Sequence, residues 1–195
     1  NGVFTATNGT VEFNGSAAQV IGAGLFAGNT IKDLTVNNNA GVTLLGPLNV
    51  SGIVTLSIGN LSSDGNLTLI STAAGTALIS GSGTGSVTGN VTMQRYLSSG
   101  FGYKYFSSPF VSATVGQFGD DMDLAATFPT FYRFDENRYV SGIPASGWVS
   151  YNLPANILNP LSGYAVNFGS SAVANTVDVT GIVNNGPFSV PLYNH

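Results

Sequence analysis

The sequence lacks cysteine and contains few charged residues. With no cysteine among 195 residues, the chain has no disulfide bond, no cysteine-ligated zinc and no thiol catalysis. Charged residues make up 7%, against roughly 25% in typical globular domains. The net charge is −4 and the few basic residues form no cluster. This argues against binding to nucleic acids or to anionic membranes, because both need a basic surface.

Further absences limit the functions that can be expected. His195 is the only histidine, so no histidine-based catalytic triad is expected. The acidic residues form no recognisable catalytic pair, and we predict that the chain is not an enzyme. No apolar run approaches the roughly 20 residues of a transmembrane helix, so we predict no membrane insertion. The first residues show no signal peptide, and we expect a mature product or part of a longer protein.

One short phrase recurs in the first half of the chain: an aliphatic residue, a threonine and a second aliphatic residue. Such a repeat indicates a solenoid, because each short strand must bury its apolar side against its neighbours. Side chains alternate between the faces of a strand, so we expect the aliphatic residues inside and the threonines outside. The phrases are Leu34-Thr35-Val36, Val42-Thr43-Leu44, Val54-Thr55-Leu56, Leu67-Thr68-Leu69 and Val91-Thr92-Met93.

The spacing of the phrases predicts an irregular solenoid. Their threonines are separated by 8, 12, 13 and 24 residues. This favours an irregular parallel β-helix of about three to five coils and argues against a flat, ice-binding threonine lattice. Glycines and asparagines between the phrases suit the corners, because both tolerate positive φ. The predicted strands are 10–13, 30–36, 42–45, 48–50, 54–58, 67–70, 77–79 and 87–93.

Aromatic residues divide the chain into two parts. Residues 1–95 hold 3 of them and residues 96–195 hold 18. We therefore predict a β-solenoid at 1–93 and an aromatic-rich, antiparallel, β-sandwich-like domain at 94–195. A hairpin is expected there, with its turn at Asp135-Glu136-Asn137. The predicted strands are 103–107, 130–134, 138–140, 147–151, 163–168, 176–179 and 188–192.

Several segments resemble the repeat units of large secreted proteins of Bacteroidota. In the first half these are residues 8–16 (NGTVEFNGS), 31–37 (IKDLTVN) and 60–69 (NLSSDGNLTL). In the second half, residues 91–97, 103–109 and 162–166 are similar to the module that follows such repeats. The resemblance implies an adhesin-like, cell-surface or secreted cargo of the type IX secretion system, and a fragment of a larger protein. The sorting domain of that family is not part of this sequence, so no mode of anchoring is implied.

Aromatic residues near cations predict a ligand-binding site in the second half. Tyr103 and Tyr105, together with Arg95, could line a carbohydrate groove, because aromatic rings stack on sugars. Trp148, the only tryptophan, could be a further platform for a sugar. The alternative for all four residues is ordinary packing, with the ring of Trp148 in the core and the cation of Arg95 lying against aromatic side chains.

The densest acidic cluster consists of Asp120, Asp121 and Asp123. Carboxylate oxygens are ligands that Ca²⁺ prefers, so these residues predict a calcium site. Their spacing does not match that of an EF-hand loop, and a solvated loop is the alternative. No other cofactor is predicted.

Together these features predict a non-enzymatic extracellular module, structural or adhesive, of a large cell-surface or filament protein. Its expected partners are further copies or neighbouring modules of the same protein, and surface glycans. The alternative is a carbohydrate-binding accessory module of a secreted polysaccharide-degrading enzyme, for which the aromatic second half argues. A solenoid lyase is disfavoured, because Lys32 is the only cation in residues 1–90.

Overall fold

The computed structural model describes residues 2–187 and 189, and nearly all of its regular structure is β-strand. The predicted fold class, a parallel β-solenoid followed by an antiparallel β region, is confirmed. Contacts divide the chain into two compact units. The first contains the residues up to Tyr96 together with Asp178–Gly186, and the second contains Leu97–Val177. The chain therefore returns to the first unit after leaving it.

The strands are short in both units. Those of the N-terminal part are β1 (Phe4–Phe13), β2 (Gln19–Ile21), β3 (Phe26–Asn37), β4 (Val42–Leu44), β5 (Leu48–Val50), β6 (Ile53–Ile58), β7 (Asn60–Ser62), β8 (Leu67–Leu69), β9 (Ser71–Thr72), β10 (Gly75–Thr76), β11 (Leu78–Ser80), β12 (Ser86–Thr88) and β13 (Asn90–Leu97). Those that follow are β14 (Tyr103–Phe106), β15 (Phe131–Phe134), β16 (Trp148–Ser150), β17 (Tyr164–Asn167) and β18 (Asn175–Ile182).

Parallel pairing stacks the strands of the first unit into three ladders. One ladder consists of β2, β4, β7 and β12. The second consists of the first part of β3, then β5, β8 and β13. The third consists of β1, the second part of β3, β6 and β11. The four strands of the first ladder agree with the predicted three to five coils.

Aliphatic side chains fill the interior of the solenoid. Leu34 and Val36 are fully buried, and Thr35 between them is partly exposed. The same pattern holds in β4 and β8, where a partly exposed threonine lies between two buried aliphatic residues. Burial of one such side chain stabilises the fold by about 1.5–3 kcal/mol, so the stack of aliphatic residues is the main stabilising feature of this unit.

A buried asparagine shapes one corner of the solenoid. Asn38 is fully buried between β3 and β4. Its Nδ2 donates to the carbonyl of Ala17 (2.8 Å) and to Oε1 of Gln19 (2.9 Å), and its Oδ1 accepts from the N–H of Ala40 (2.9 Å). Both amide donors and the acceptor are thus satisfied, which removes the usual cost of burying a polar group.

The returning segment covers the last coil. β18 lies next to β13 in the sheet, and the hydroxyls of Thr92 and Thr180 are 2.8 Å apart. Asn185 pairs with β12 as a strand would: the N–H of Val87 donates to its Oδ1 (3.0 Å), and its Nδ2 donates to the carbonyl of Val87 (2.8 Å). These contacts occupy hydrogen-bonding groups that an uncovered strand edge would leave open.

The second unit contains one four-stranded antiparallel sheet in the order β14, β17, β15, β16. One face of this sheet packs on the aromatic core. Phe118 contacts Phe106 and Phe131 with ring centroids 5.8 Å and 5.4 Å apart, and Phe131 contacts Tyr164 at 5.8 Å. The remaining segments include three short 3-10 turns, at Val115–Phe118, Glu136–Arg138 and Pro144–Gly147.

The predicted hairpin with its turn at residues 135–137 is wrong. Residues 136–138 form a 3-10 turn, in which Oδ1 of Asp135 accepts from the N–H of Asn137 (3.1 Å). No strand is present at 138–140, and β15 pairs instead with the later strand β16 and with β17. The long-range pairing is favoured because it buries Phe131 in the core.

Other boundaries also differ from the prediction. The strand predicted at 87–93 is two strands, β12 and β13, separated by Gly89 at φ +82°. β2 and β7 were not predicted. The strand predicted at 188–192 falls on residues that, apart from 189, lie outside the described part of the chain. Within residues 2–187 and 189, no helix has the length and apolar character needed to cross a bilayer.

Alanine in place of Gly59 should destabilise the protein strongly. Gly59 has φ +82°, and an added Cβ would collide with the carbonyl oxygen of Asn38. We expect the free energy of unfolding to fall by about 2–4 kcal/mol in urea denaturation. Gly65→Ala is the matched control, since Gly65 has φ +78° but no atom within 4 Å of an added Cβ, and should cost about 1–2 kcal/mol. Equal losses would show that the contact with Asn38 is unimportant.

Removal of the Asn185 side chain should open the covered edge of β12. Asn185→Ala leaves both backbone groups of Val87 without their side-chain partner, and should lower the free energy of unfolding by about 1–2 kcal/mol. The amide of Val87 should also exchange with solvent deuterium faster. Asn49→Ala, which removes a single 3.5 Å contact to Thr30, should change stability by less than about 0.5 kcal/mol. Unchanged exchange at Val87 would contradict this assignment.

Candidate functional site

Strand alternation places five aromatic side chains on one face of the antiparallel sheet. We call this surface the aromatic face, and it consists of Tyr103 and Tyr105 on β14, Tyr132 and Phe134 on β15, and Trp148 on β16. These residues occupy alternate positions of their strands, so their side chains point to the same side of the sheet. Of the intervening positions, Phe106 and Phe131 contribute rings to the aromatic core, while Lys104 and the exposed Arg133 lie on the same side of the sheet.

The pairing register confirms that these residues share a face. Tyr105 is opposite Ala165 on β17, and Ala165 is opposite Tyr132 on β15. Phe134 is opposite Trp148 on β16. Residues that are directly opposite in an antiparallel pair project to the same side. The aromatic face thus extends across all four strands.

The aromatic face is open to solvent. Tyr105 is 76% exposed, Tyr103 is 44% exposed and Phe134 is 39% exposed, while Tyr132 and Trp148 are partly exposed. Rings are usually buried on folding, because burial of their apolar surface is favourable. This group of exposed rings on one face is therefore the candidate interaction surface of the second unit.

Ring contacts hold the side chains of the aromatic face in place. Trp148 lies 6.2 Å from Tyr105 and 5.2 Å from Phe134, measured between ring centroids. Tyr103 lies 6.1 Å from Tyr132 in an edge-to-face arrangement. Each contact of this kind contributes about 0.5–1.5 kcal/mol beyond burial. The rings are consequently oriented before any ligand binds.

Small residues make room for the large rings. Ala165 lies at the centre of the face on β17 and is nearly buried by its surroundings. Gly147 directly precedes Trp148, and a Cβ at this position would collide with the ring of Phe134. The small side chain of Ala165 and the missing side chain of Gly147 therefore allow the large rings to pack against one another.

Basic residues of the sheet occupy the alternate positions, away from the aromatic face. The Nζ of Lys104 donates to the carbonyl of Phe101 (2.8 Å). The guanidinium of Arg133 lies 5.7 Å from the ring centre of Tyr151 and 3.7 Å from a carboxylate oxygen of Asp135. The strand positions of the aromatic face carry no charged side chain.

Three of the four predicted ligand-binding residues come together. Tyr103, Tyr105 and Trp148 belong to the aromatic face. Arg95 is an exposed residue of β13, in a segment that belongs to the first unit. Sequence reasoning did not single out Tyr132 and Phe134, which lie in the same strand as the buried Phe131.

The acidic cluster lies in an irregular segment after the first 3-10 turn. Asp120 and Asp123 are exposed, and Oδ1 of Asp123 accepts from the N–H of Ala125 (2.9 Å). Met122, between them, is nearly buried. Among the residues that the structure describes, no group of three acidic, histidine or cysteine side chains is placed to hold a metal ion. Calcium at Asp120, Asp121 and Asp123 stays a prediction from the sequence.

The first unit contains a shallow groove of about 330 Å³ at a corner of the coils. Its walls are uncharged. They consist of Asn39, Ala40, Gly41, Ile58, Gly59, Asn60 and Thr84. No aromatic side chain lines this groove, so it offers no ring surface on which a ligand could stack.

Comparison with protein-family models, with curated protein sequences and with solved structures finds no match to this chain.

Two tyrosines of the second unit are expected to ionise late. Burial raises the pKa of Tyr132 above its usual value, and the neighbouring hydroxyl of Tyr103, through its charge when ionised and its hydrogen bond, raises it further. Burial also raises the pKa of Tyr164, although its hydroxyl oxygen accepts from the N–H of Asn159 (2.8 Å), which acts in the opposite direction. In both cases the folded protein holds the phenolic proton more tightly than the unfolded chain.

These shifts predict a loss of stability at alkaline pH. Above the usual tyrosine pKa of about 10, the unfolded chain releases protons that the folded chain retains, so stability falls as pH rises through the folded pKa values. Melting temperatures measured from about pH 9 to about pH 11 should decrease, and less steeply for Tyr164→Phe than for wild type. A variant with the same pH slope as wild type would contradict the role assigned to Tyr164.

Proposed function

We propose that this chain is a non-enzymatic, extracellular structural and adhesive module that binds glycans through the aromatic face. The observation that carries the proposal is the group of five exposed or partly exposed rings on one face of a regular sheet. The solenoid is the scaffold of the module. The resemblance of its repeats to secreted Bacteroidota proteins supports placement in a larger cell-surface protein.

Exposed aromatic rings suit glycans for a chemical reason. The C–H groups of a pyranose ring carry partial positive charge, and the face of an aromatic ring carries partial negative charge, so the two attract. Phenolic hydroxyls at Tyr103, Tyr105 and Tyr132 can add hydrogen bonds to sugar hydroxyls, since each hydroxyl both donates and accepts. Rings already held by mutual contacts lose little freedom on binding.

The solenoid supports the structural part of the proposal. Its coils are joined by parallel backbone ladders and an aliphatic interior, and its outward positions are mostly threonine, serine and asparagine. A stack of this kind resists extension, because many backbone hydrogen bonds must break together. Neighbouring modules of the same protein are its proposed partners in addition to glycans.

A carbohydrate-binding accessory module of a polysaccharide-degrading enzyme would use the same face. The two functions differ in what the rest of the gene product contains. A catalytic domain in the same polypeptide would favour the accessory module, and further solenoid repeats would favour the adhesive protein.

Truncation of single rings should weaken glycan binding without unfolding the protein. Tyr105→Ala and Trp148→Ala should each reduce binding by about tenfold or more in depletion assays with insoluble polysaccharides, because each removes one of the rings available for stacking. Phe4→Ala is the control: Phe4 is an exposed aromatic residue of the first unit and should have no effect. Circular dichroism should show retained β-structure. Folded wild-type protein that binds no glycan, or variants that bind as wild type does, would overturn the proposal.

A further inference from the structure

The chemistry of the aromatic face indicates which glycans it can bind. Its strand positions hold tyrosine, phenylalanine, tryptophan, Ala165, Asn167 and Ser150, and no acid or base. The cations of the same sheet, Lys104 and Arg133, are engaged elsewhere, by a backbone carbonyl and by Asp135 with Tyr151. A polyanionic glycan would meet no cation on this face, and the chain carries a net charge of −4.

The polar groups at the margin of the face suit hydroxyls rather than ions. Oγ of Ser150 donates to Oδ1 of Asn152 (2.9 Å), and Oδ1 of Asn167 accepts from the N–H of Gly169 (3.0 Å). These contacts fix the two side chains and leave hydroxyl lone pairs and amide protons for a ligand. Neutral donors and acceptors of this type recognise sugar hydroxyls, and they cannot balance the charge of a carboxylate or sulfate.

The arrangement of the rings adds a stereochemical requirement. The ring of Trp148 contacts those of Tyr105 and Phe134, with centroid distances of 6.2 Å and 5.2 Å; its plane is tilted by 33° from that of Tyr105, whereas Phe134 meets it edge to face at 71°. A sugar with equatorial hydroxyls offers C–H surfaces on both faces of its ring, whereas an axial hydroxyl interrupts the C–H surface of one face. A chain of equatorially linked sugars presents these surfaces one after another, and the rings of Tyr105 and Trp148, whose planes differ by 33°, can contact two of them.

From these three observations we infer that the aromatic face binds neutral β-linked polysaccharides whose sugars carry equatorial substituents, as in cellulose-type glucans and xylans. The inference rests on the proposed glycan-binding function and narrows it to one class of ligand. Trp148 is the central contact, because its ring contacts those of both Tyr105 and Phe134. The lack of cations on the face excludes acidic and sulfated glycans. The axial linkage of α-linked chains excludes them as well, because it turns successive sugars out of one plane.

A panel of glycans separates the class of ligand from the function itself. Wild-type protein should be tested by affinity electrophoresis against hydroxyethyl cellulose and xylan, against dextran, and against polygalacturonate and chondroitin sulfate. We expect hydroxyethyl cellulose and xylan to retard the protein, and the other three glycans to have no effect. The affinity should change by less than about twofold between about 50 mM and about 500 mM NaCl, because no ion pair is formed. Tyr105→Ala should abolish most of the retardation, and Phe4→Ala should not.

Each other result has a distinct meaning. Preferential binding to the acidic glycans, with an affinity that falls steeply as the NaCl concentration rises, would overturn the inference. The proposed glycan-binding function would then still stand. Equal retardation by dextran would overturn the stereochemical part. Retardation by none of the glycans, with the fold retained, would contradict the proposed function itself, and a protein ligand bound through Tyr105 would then replace it.

Discussion

The first unit depends on one constraint: the inward aliphatic side chains of each coil can be buried only by the coil above and the coil below. A three-residue strand such as β4 or β8 offers two inward positions and no interior of its own. A shift of one residue in the register would place threonine inside and leucine outside. The stack is therefore fixed in register, and its last coil needs a cover, which β18 and Asn185 provide.

This constraint explains why the solenoid could be predicted from the sequence and its details could not. A threonine between two aliphatic residues predicts both which side chains of a strand point to the interior and which one points to solvent. β2 and β7 have no such threonine between two aliphatic residues, and they were missed. The uneven intervals between phrases conceal a regular register, in which Thr35 is opposite Thr55 and Thr68 is opposite Thr92. Turns of different length, including the β9–β10 hairpin, absorb the difference.

In the second unit the side chains also alternate between the two faces of a strand, but aromatic rings lie on both faces, and the sequence did not show which of them are buried. Along β15, Phe131 is fully buried, and Tyr132 and Phe134 point to the opposite side. With aromatic residues at consecutive positions, pattern alone cannot tell the core from the surface. Local turn chemistry at Asp135 suggested a hairpin, but the strand pairs with partners distant in sequence. Only the complete sheet shows which rings share a face.

Exposed aromatic rings can cause a protein to aggregate, because apolar surface promotes association between molecules. On the aromatic face they lie on a four-stranded sheet whose other side is fixed by the contact of Phe118 with Phe131. Ala165 and Gly147 give the outer rings space to lie against one another. The contacts beneath and between the rings hold their geometry without a ligand, so the proposed binding of glycans would require little reordering. The strand positions of this face also carry no charged side chain, because Lys104 and Arg133 occupy the alternate positions of the same strands, so the rings contact one another with no charged side chain between them.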